Sequence, residues 1–186
     1  MEELQEYKKV MGLSGWLHWT AHFITNFNKL ALAVAVITLI LCIDVGGKKI
    51  VERSDPSLIP GAVEETLRYW APSQYQGRFS HQDSEWHGVT LPAGQPVFLI
   101  TGAANRDPRE YDRPDEFDID RPIGLTLGLG HGIHSCLGAA LARLESRMAI
   151  EEWARRFPRY EVDDAGCARV NMSNVAGYSE VPVRVG

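Results

Sequence analysis

The most informative residues of this chain are Leu129-Gly130-His131-Gly132-Ile133-His134-Ser135-Cys136-Leu137-Gly138, in which a cysteine follows a turn of small residues. A helix is predicted directly after them, over residues 137–157, because apolar residues recur there at helical spacing and Pro158 ends the pattern. The amino terminus of a helix presents free N–H groups and partial positive charge, which stabilise a thiolate. Cys136 is therefore predicted to act as a metal ligand or as a nucleophile.

The glycines of this run suit a flat ligand. Gly130 and Gly132 permit backbone angles that a side chain forbids, and Gly138 leaves room for a macrocycle against the first helical turn. A large planar cofactor is therefore expected to dock beside Cys136.

Three other interpretations of the run stay open. In the first, His131, His134 and Cys136 are zinc ligands, although no fourth ligand lies at zinc-like spacing. In the second, the glycines form a phosphate-binding loop, but the Lys-Ser/Thr ending of such loops is missing. In the third, Cys136 is a nucleophile, for which no oxyanion site is identifiable.

The run resembles the cysteine-loop signature of the cytochrome P450 family, Phe-Gly-x-Gly-x-His-x-Cys-x-Gly, with Leu129 in place of the aromatic residue. The resemblance implies that Cys136 is the axial ligand of the iron of haem b and that His134 hydrogen-bonds a haem propionate. Leucine is still apolar, so the sulfur would remain shielded from water.

A second motif of the same family lies upstream. Glu65-Thr66-Leu67-Arg68 resembles its Glu-x-x-Arg motif, on a helix that Ser57 is predicted to cap, with Pro60 in its first turn and Pro72 beyond its end. Two charges three residues apart lie on one helical face. A buried Arg68 fork is expected to hold both Glu65 and carbonyls of a later irregular loop.

Further pieces match in the same order along the chain. Arg78 resembles the strand arginine that pairs with a haem propionate in the family. Asn105-Arg106-Asp107-Pro108 and the run from Pro114 to Arg121 resemble the bacterial form of the segment before the cysteine loop. The resemblance extends from about Asp55 to the carboxyl terminus.

The other elements expected from the pattern are short. Residues 105–125 have no period and should form an irregular, salt-bridged loop, and residues 160–185 should form short strands. One small antiparallel sheet is predicted from three strands, at Arg78–Phe79, Gly88–Leu91 and Pro96–Thr101.

The expected fold class is α+β, mainly α: the carboxyl-terminal portion of the P450 fold over residues 55–186, preceded by a detached hydrophobic helix within residues 1–54.

The chain has 186 residues and a formal charge of -5, which argues against a nucleic-acid partner. Its three cysteines are too few for a disulfide framework, so a reducing, cytoplasmic location is expected.

The amino-terminal segment has a different character. Residues 30–43 are apolar except for Thr38, a run shorter than the roughly 20 residues that span a bilayer. A buried or interfacial helix and a membrane association through residues 11–45 both stay open. Residues 11–23 resemble the start of a transmembrane helix in the lipid-exporting A subfamily of ABC transporters, and the likeness continues loosely to Leu58. No nucleotide-binding motif accompanies it.

The P450 resemblance implies haem-dependent monooxygenation of a small organic substrate. Electrons would come from NAD(P)H through a ferredoxin or reductase that docks on the proximal face. The family's oxygen-activating element, Ala/Gly-Gly-x-Asp/Glu-Thr, is not found upstream of Glu65, so no catalytic residue is identified and the chain is expected to be incomplete as an enzyme. The alternatives are a non-catalytic haem-binding fragment and a membrane-anchored remnant of a transporter.

Overall fold

The computed structural model describes residues 55–122 and 124–186. The predicted hydrophobic helix within residues 1–54, the expected membrane association through residues 11–45, and Cys42 lie outside the described residues. No helix in the described ranges is long and apolar enough to cross a membrane.

Helix α1 comprises Ile59–Tyr69 and follows a 3-10 turn at Pro56–Leu58. The predicted cap by Ser57 is wrong. The Asp55 carboxylate accepts a hydrogen bond from the Ser57 amide at 2.9 Å, so Asp55 caps the 3-10 turn and α1 begins two residues after Ser57. Pro60 lies in the first turn of α1, as predicted, because a missing N–H costs nothing there.

The next elements are four short strands, β1 (Gln76–Phe79), β2 (Ser84–Trp86), β3 (Val89–Leu91) and β4 (Pro96–Leu99). The prediction of a single sheet is wrong, because β1 pairs with β4 and β2 with β3 in two separate antiparallel pairs. The strand predicted to reach Thr101 ends at Leu99. Thr101 instead begins the short helix α2 (Thr101–Ala104), and its hydroxyl donates to the carbonyl of Ser73 at 2.7 Å.

The predicted irregular loop is confirmed. Residues 105–122 contain no helix or strand and are crossed by ion pairs, among them Arg106–Asp115 and Arg113–Glu116. A 3-10 turn at Gly132–His134 then leads to the long helix α3 (Ala139–Arg156).

The predicted short strands of the tail are also confirmed. They are β5 (Tyr160–Val162), β6 (Ala168–Arg169), β7 (Tyr178–Glu180) and β8 (Val183–Val185). β5 pairs with β8 and β6 with β7, both antiparallel.

The apolar core lies where α1 meets α3 and the irregular loop. Ile59 and Val63 of α1 pack against Ile150 of α3, which is fully buried. On another side of α1, the loop approaches so closely that a Cβ on Gly61 would lie 2.7 Å from the carbonyl oxygen of Ile119. Because glycine has no Cβ, Gly61 allows the loop to pack closely on α1.

A second apolar stripe, which begins just before α3 and continues along it, is not covered by any of the described residues. The leucines and methionine whose spacing predicts this helix are exposed to 99%, 42%, 54% and 58%, respectively, at Leu137, Leu141, Leu144 and Met148. Helix α3 meets α1 through the side that carries Ile150 and Ser146 instead. Periodicity thus predicts the helix correctly, but the residues that carry the periodicity face away from the described core.

Candidate functional site

The segment that leads to Cys136 lies on the carboxyl end of α1. A Cβ on Gly128 would come within 2.4 Å of the carbonyl oxygen of Leu67 and 3.5 Å of the Ala71 side chain. Such close approach of two backbones requires glycine. Gly128 therefore belongs to the site, although the sequence indicated only a turn there.

Beyond this contact, backbone hydrogen bonds close the chain into a loop. The Gly130 amide donates to the Leu127 carbonyl at 3.0 Å, and the Cys136 amide donates to the Leu129 carbonyl at 2.8 Å. The Ala139 amide then donates to the Cys136 carbonyl at 3.0 Å, which joins the loop to the start of α3. We call residues 127–138 the cysteine loop.

Two of the three glycines predicted to shape this loop adopt positive φ. Gly130 has φ +76°, and a Cβ there would also lie 2.5 Å from the His134 carbonyl oxygen. Gly132 has φ +60° in open space. Gly138 has an ordinary φ of -87°, so its backbone does not require glycine. Its expected role, clearance for a macrocycle, stays a prediction.

Cys136 is half-buried and has a free thiol. It lies three residues before Ala139, so the predicted start of the helix at Leu137 is wrong by two residues. Ile133 and Leu137, on either side of it in sequence, are 97% and 99% exposed. The two apolar side chains that flank Cys136 in sequence, Ile133 and Leu137, therefore contact little of the described protein.

The second described cysteine lies in a different environment. The Cys167 thiol donates to the Asp163 carbonyl at 3.5 Å. Burial, together with the nearby charges of Asp164 and Asp163, raises the pKa of the Cys167 thiol. Cys167 also lies at the end of a 3-10 turn and does not precede a long helix as Cys136 does.

The zinc interpretation finds no support in the geometry. Among residues 55–122 and 124–186, no three His, Cys, Asp or Glu side chains lie together as metal ligands would. His134 ends the 3-10 turn and is exposed, and His131 directly precedes that turn.

The Glu65–Arg68 pair is fully buried, with both side chains 0% exposed. Arg68 donates from Nε to Oε2 of Glu65 at 2.8 Å and from Nη2 to Oε1 at 2.7 Å. It also donates to the carbonyls of Asn105 (2.9 Å), Pro114 (2.8 Å) and Glu116 (3.1 Å). The expected contact between Arg68 and the irregular loop is thus present, and we call this arrangement the clamp.

Three residues of the clamp were not singled out by the sequence. Arg121, only 6% exposed, shares Glu65 with Arg68 through a contact of 3.3 Å. The Tyr111 ring lies 5.2 Å from the Arg68 guanidinium, and burial raises the pKa of its phenol. Asn105 is 0% exposed and reaches toward the cysteine loop. The only sequence signal for them was the likeness of their segments to the family.

Arg78 lies on β1, opposite Val97 of β4, and is half-buried. Its guanidinium donates to the neighbouring carbonyl of Gly77 at 2.8 Å. In the described structure it makes no hydrogen bond to the cysteine loop, so its expected pairing with a propionate stays a prediction.

A sequence model of the family described as Cytochrome P450 matches residues 51–167, which include both the clamp and the cysteine loop. The chain belongs to the cytochrome P450 family. It is 46% identical over 133 residues to the putative cytochrome P450 123 of Mycobacterium tuberculosis, a match that covers 71% of this chain and 33% of the relative. It is 43% identical over 131 residues to the biotin biosynthesis cytochrome P450 of Bacillus subtilis, covering 70% and 33%.

Solved P450 structures superpose on the same part of the chain. One is P450BioI in complex with a hexadec-9Z-enoic acid-ligated acyl carrier protein, with a TM-score of 0.79, 36% identity, and coverage of 84% of this chain and 41% of that chain. Another is HmtN, a hydroxylase of himastatin biosynthesis, with a TM-score of 0.80, 36% identity, and coverage of 84% and 43%.

These comparisons confirm the predicted family and the P450 fold of the matching part. They give no support to the likeness of residues 11–58 to an ABC transporter. The chain spans about a third of the length of the curated relatives it matches.

Proposed function

We propose that this chain is the haem-thiolate-binding portion of a cytochrome P450 monooxygenase, with Cys136 as the axial iron ligand. The observation that carries the proposal is a free, half-buried Cys136 on a loop that glycines and its own hydrogen bonds hold at the start of α3. Family membership supplies the cofactor that such a cysteine would bind. Helix α3 begins three residues after Cys136, and the Ala139 amide donates to the Cys136 carbonyl at 3.0 Å.

The donor chemistry of the site fits haem. Cys136 has no companion ligands in the described ranges, and a haem needs only one protein donor on this side because its macrocycle provides four nitrogens. The exposed side chains of Ile133 and Leu137 offer apolar surface next to the sulfur, as a macrocycle requires. We further propose that His134 and Arg78 bind the propionates and that Gly130, Gly132 and Gly138 line the cofactor.

When bound, the haem would supply the oxygen chemistry. The residues of this chain would hold the thiolate, exclude water from it and orient the macrocycle. The clamp would act on geometry alone, because the Arg68 guanidinium is fully engaged by Glu65 and three carbonyls.

The remaining elements of the activity come from the family. We propose that electrons from NAD(P)H arrive through a ferredoxin or reductase at the proximal face, that the substrate is a small organic molecule, and that the protein acts in the cytoplasm. A net charge of -5 is consistent with the absence of nucleic acid from this scheme.

A second candidate function is haem binding without catalysis. It is favoured by one observation on the sequence: no acid-alcohol pair for proton delivery is recognisable upstream of Glu65. Product formation coupled to consumption of reductant separates the two candidates. If the second candidate is correct, the chain, supplied with haem and an electron donor, should consume reductant without forming a hydroxylated product.

The experiment that tests the proposed ligand is a cysteine series. Reduced, CO-bound absorption spectra are recorded for Cys136→Ser, Cys167→Ser and Cys42→Ser after addition of haem. Only Cys136→Ser should lose the haem-thiolate band, because of the two described cysteines only Cys136 lies on a glycine-shaped loop at the start of a long helix. An unchanged spectrum in Cys136→Ser would reject the proposed function.

A further inference from the structure

We propose that Asn105 is a positioning residue that fixes the cysteine loop on the end of α1. The proposal deepens the proposed function and rests on it for the identity of the ligand, but its geometric part concerns this chain alone. Asn105 is the residue after α2, 37 positions from Arg68 and 31 from Cys136, and it is 0% exposed.

All four polar groups of Asn105 are engaged. Its amide donates to the Thr101 carbonyl at 3.0 Å, and its carbonyl accepts from Arg68 at 2.9 Å. Its side-chain Oδ1 accepts from the Leu127 amide at 2.8 Å, while Nδ2 donates to the Leu67 carbonyl at 3.5 Å. One buried residue therefore joins three parts of the site: its backbone carbonyl contacts the clamp, and its side chain contacts the end of α1 and the first residue of the cysteine loop.

The short bond to Leu127 is continued through the loop by backbone hydrogen bonds. The Leu127 carbonyl accepts from Gly130, and the Leu129 carbonyl accepts from Cys136. A shift of Leu127 would therefore displace the acceptor that holds Gly130 and, two residues further along the chain, the acceptor that holds Cys136. The position of the sulfur depends on where Leu127 is held.

The surroundings leave little room for a compensating shift. Gly128 lies directly on the Leu67 carbonyl, the same oxygen that Nδ2 of Asn105 approaches. The loop cannot move closer to α1, and without the Asn105 acceptor the amide of the half-buried Leu127 would lose its side-chain partner. An unpaired amide favours any movement that brings it to water.

The Asn105 side chain can be tested for its acceptor and for its volume separately. Asn105→Ala removes both the acceptor and the donor. Asn105→Asp keeps an acceptor for the Leu127 amide, and in the neutral form that burial favours its second oxygen can donate to the Leu67 carbonyl in place of Nδ2. If Asn105 positions the loop, the aspartate should restore the position of Cys136 that alanine loses. Asn105→Leu, which has a similar volume but no acceptor, should behave like alanine, whereas a merely space-filling role predicts that it behaves like the wild type.

The test uses the full chain and two measurements. Without haem, hydrogen exchange of the Leu127 and Cys136 amides should be about 5- to 30-fold faster in Asn105→Ala than in the wild type, and close to wild type in Asn105→Asp. With haem, the share of bound haem that gives the reduced, CO-bound thiolate band should fall in Asn105→Ala and recover in Asn105→Asp. Asn171→Ala, an exposed asparagine in the tail, is the matched control and should change neither.

A measurement on the wild type needs no variant to fold. The Leu127 and Cys136 amides should open as one unit, with the same dependence of exchange on denaturant. Independent opening of the two amides, or unchanged exchange in Asn105→Ala, overturns the proposal. Faster exchange in Asn105→Ala, with no thiolate band even in the wild type, supports the positioning of the loop and rejects the haem-thiolate function.

Discussion

The clamp and the outer stripe of α3 differ in which groups they bury. In the clamp, two charged side chains, Glu65 and Arg68, are 0% exposed and every guanidinium donor has an acceptor. On α3, Leu144 and Met148 are more than half exposed, although both are apolar. The described part of the chain thus buries ions in one region and leaves apolar side chains uncovered in the other.

The two regions differ in role. The clamp stabilises the chain, whereas the outer stripe is a surface suited to contact. The buried ion pair of the clamp is internally complete, because every hydrogen-bond partner of the Glu65 and Arg68 side chains lies between residues 65 and 121. The outer stripe has no such partners among the described residues, and contiguous exposed apolar side chains of this kind mark contact surfaces. Stability should therefore respond strongly to changes in the clamp and weakly to changes in the stripe.

The largest expected effect comes from breaking the clamp. Arg68→Ala removes the main partner of the buried Glu65 carboxylate, which keeps only Arg121 and the Asp118 amide. It also leaves the carbonyls of Asn105 and Pro114 without their donor, whereas the Glu116 carbonyl keeps Arg121. The free energy of unfolding should fall by about 3–5 kcal/mol, measured by urea unfolding. Arg155→Ala is the matched control, because it removes an exposed pair with Glu152 and should cost less than about 1 kcal/mol. A soluble Arg68→Ala protein of wild-type stability would show that the clamp is an ordinary ion pair.

Two substitutions on α3 test the contrast between its buried and its exposed apolar residues. Ile150→Ala should lower the free energy of unfolding by about 2–5 kcal/mol, because it opens a cavity against Ile59 and Val63. Met148→Ala, two residues earlier on the exposed stripe, should change it by less than about 0.5 kcal/mol. Equal losses at both positions would mean that the stripe is packed in solution.

A smaller effect is expected at the edge of the clamp. The Tyr111 hydroxyl donates to the Leu125 carbonyl, so Tyr111→Phe should cost about 1 kcal/mol near neutral pH. Burial raises the pKa of Tyr111 above 10.0, so the unfolded chain loses this proton first. Wild-type stability should therefore fall as the pH rises past 10.0, and the difference from Tyr111→Phe should shrink. A difference that is constant through alkaline pH would contradict this.

The smallest effect is expected in acid. Hydrogen bonds from the Arg109 side chain and backbone lower the pKa of Asp107 from 3.8 to about 2. Its contribution to stability is therefore present above pH 3.8 and is lost as the pH falls toward 2. Asp107→Asn should be slightly less stable at neutral pH and should converge with the wild type in urea unfolding near pH 2. Arg109→Ala should reproduce this profile, and a gap that persists at the lowest pH would reject the assignment.

The sequence predicted those parts of the site that depend on neighbours in the chain. A spacing of three placed Glu65 and Arg68 on one face of a helix, and Gly130 and Gly132 marked positions of positive φ. The sequence did not identify Asn105 or Arg121 as site residues, because their partners lie 22 to 56 residues away and no local pattern records such a contact.

The errors at the ends of elements have local causes. Ser57 is a good capping residue, but Asp55 forms the first cap because Pro56 starts a 3-10 turn. The strand predicted to end at Thr101 stops earlier, since the Thr101 hydroxyl finds the Ser73 carbonyl and the chain turns into α2. The α3 stripe shows a different limit: periodicity indicates a helix with an apolar side but does not say what covers that side.

The partners of Arg68 lie far from it in sequence, and this separation has a consequence for the order of folding. Its carbonyl partners follow it by 37, 46 and 48 residues, and Arg121 follows Glu65 by 56. At roughly 5–20 residues per second, a ribosome takes roughly 3 to 11 seconds to synthesise that interval. Helix α1, with 11 residues, is too short to be stable alone during this wait. The clamp should therefore close late, and removal of Arg121 should lower stability mainly by speeding unfolding, with little change in the refolding rate.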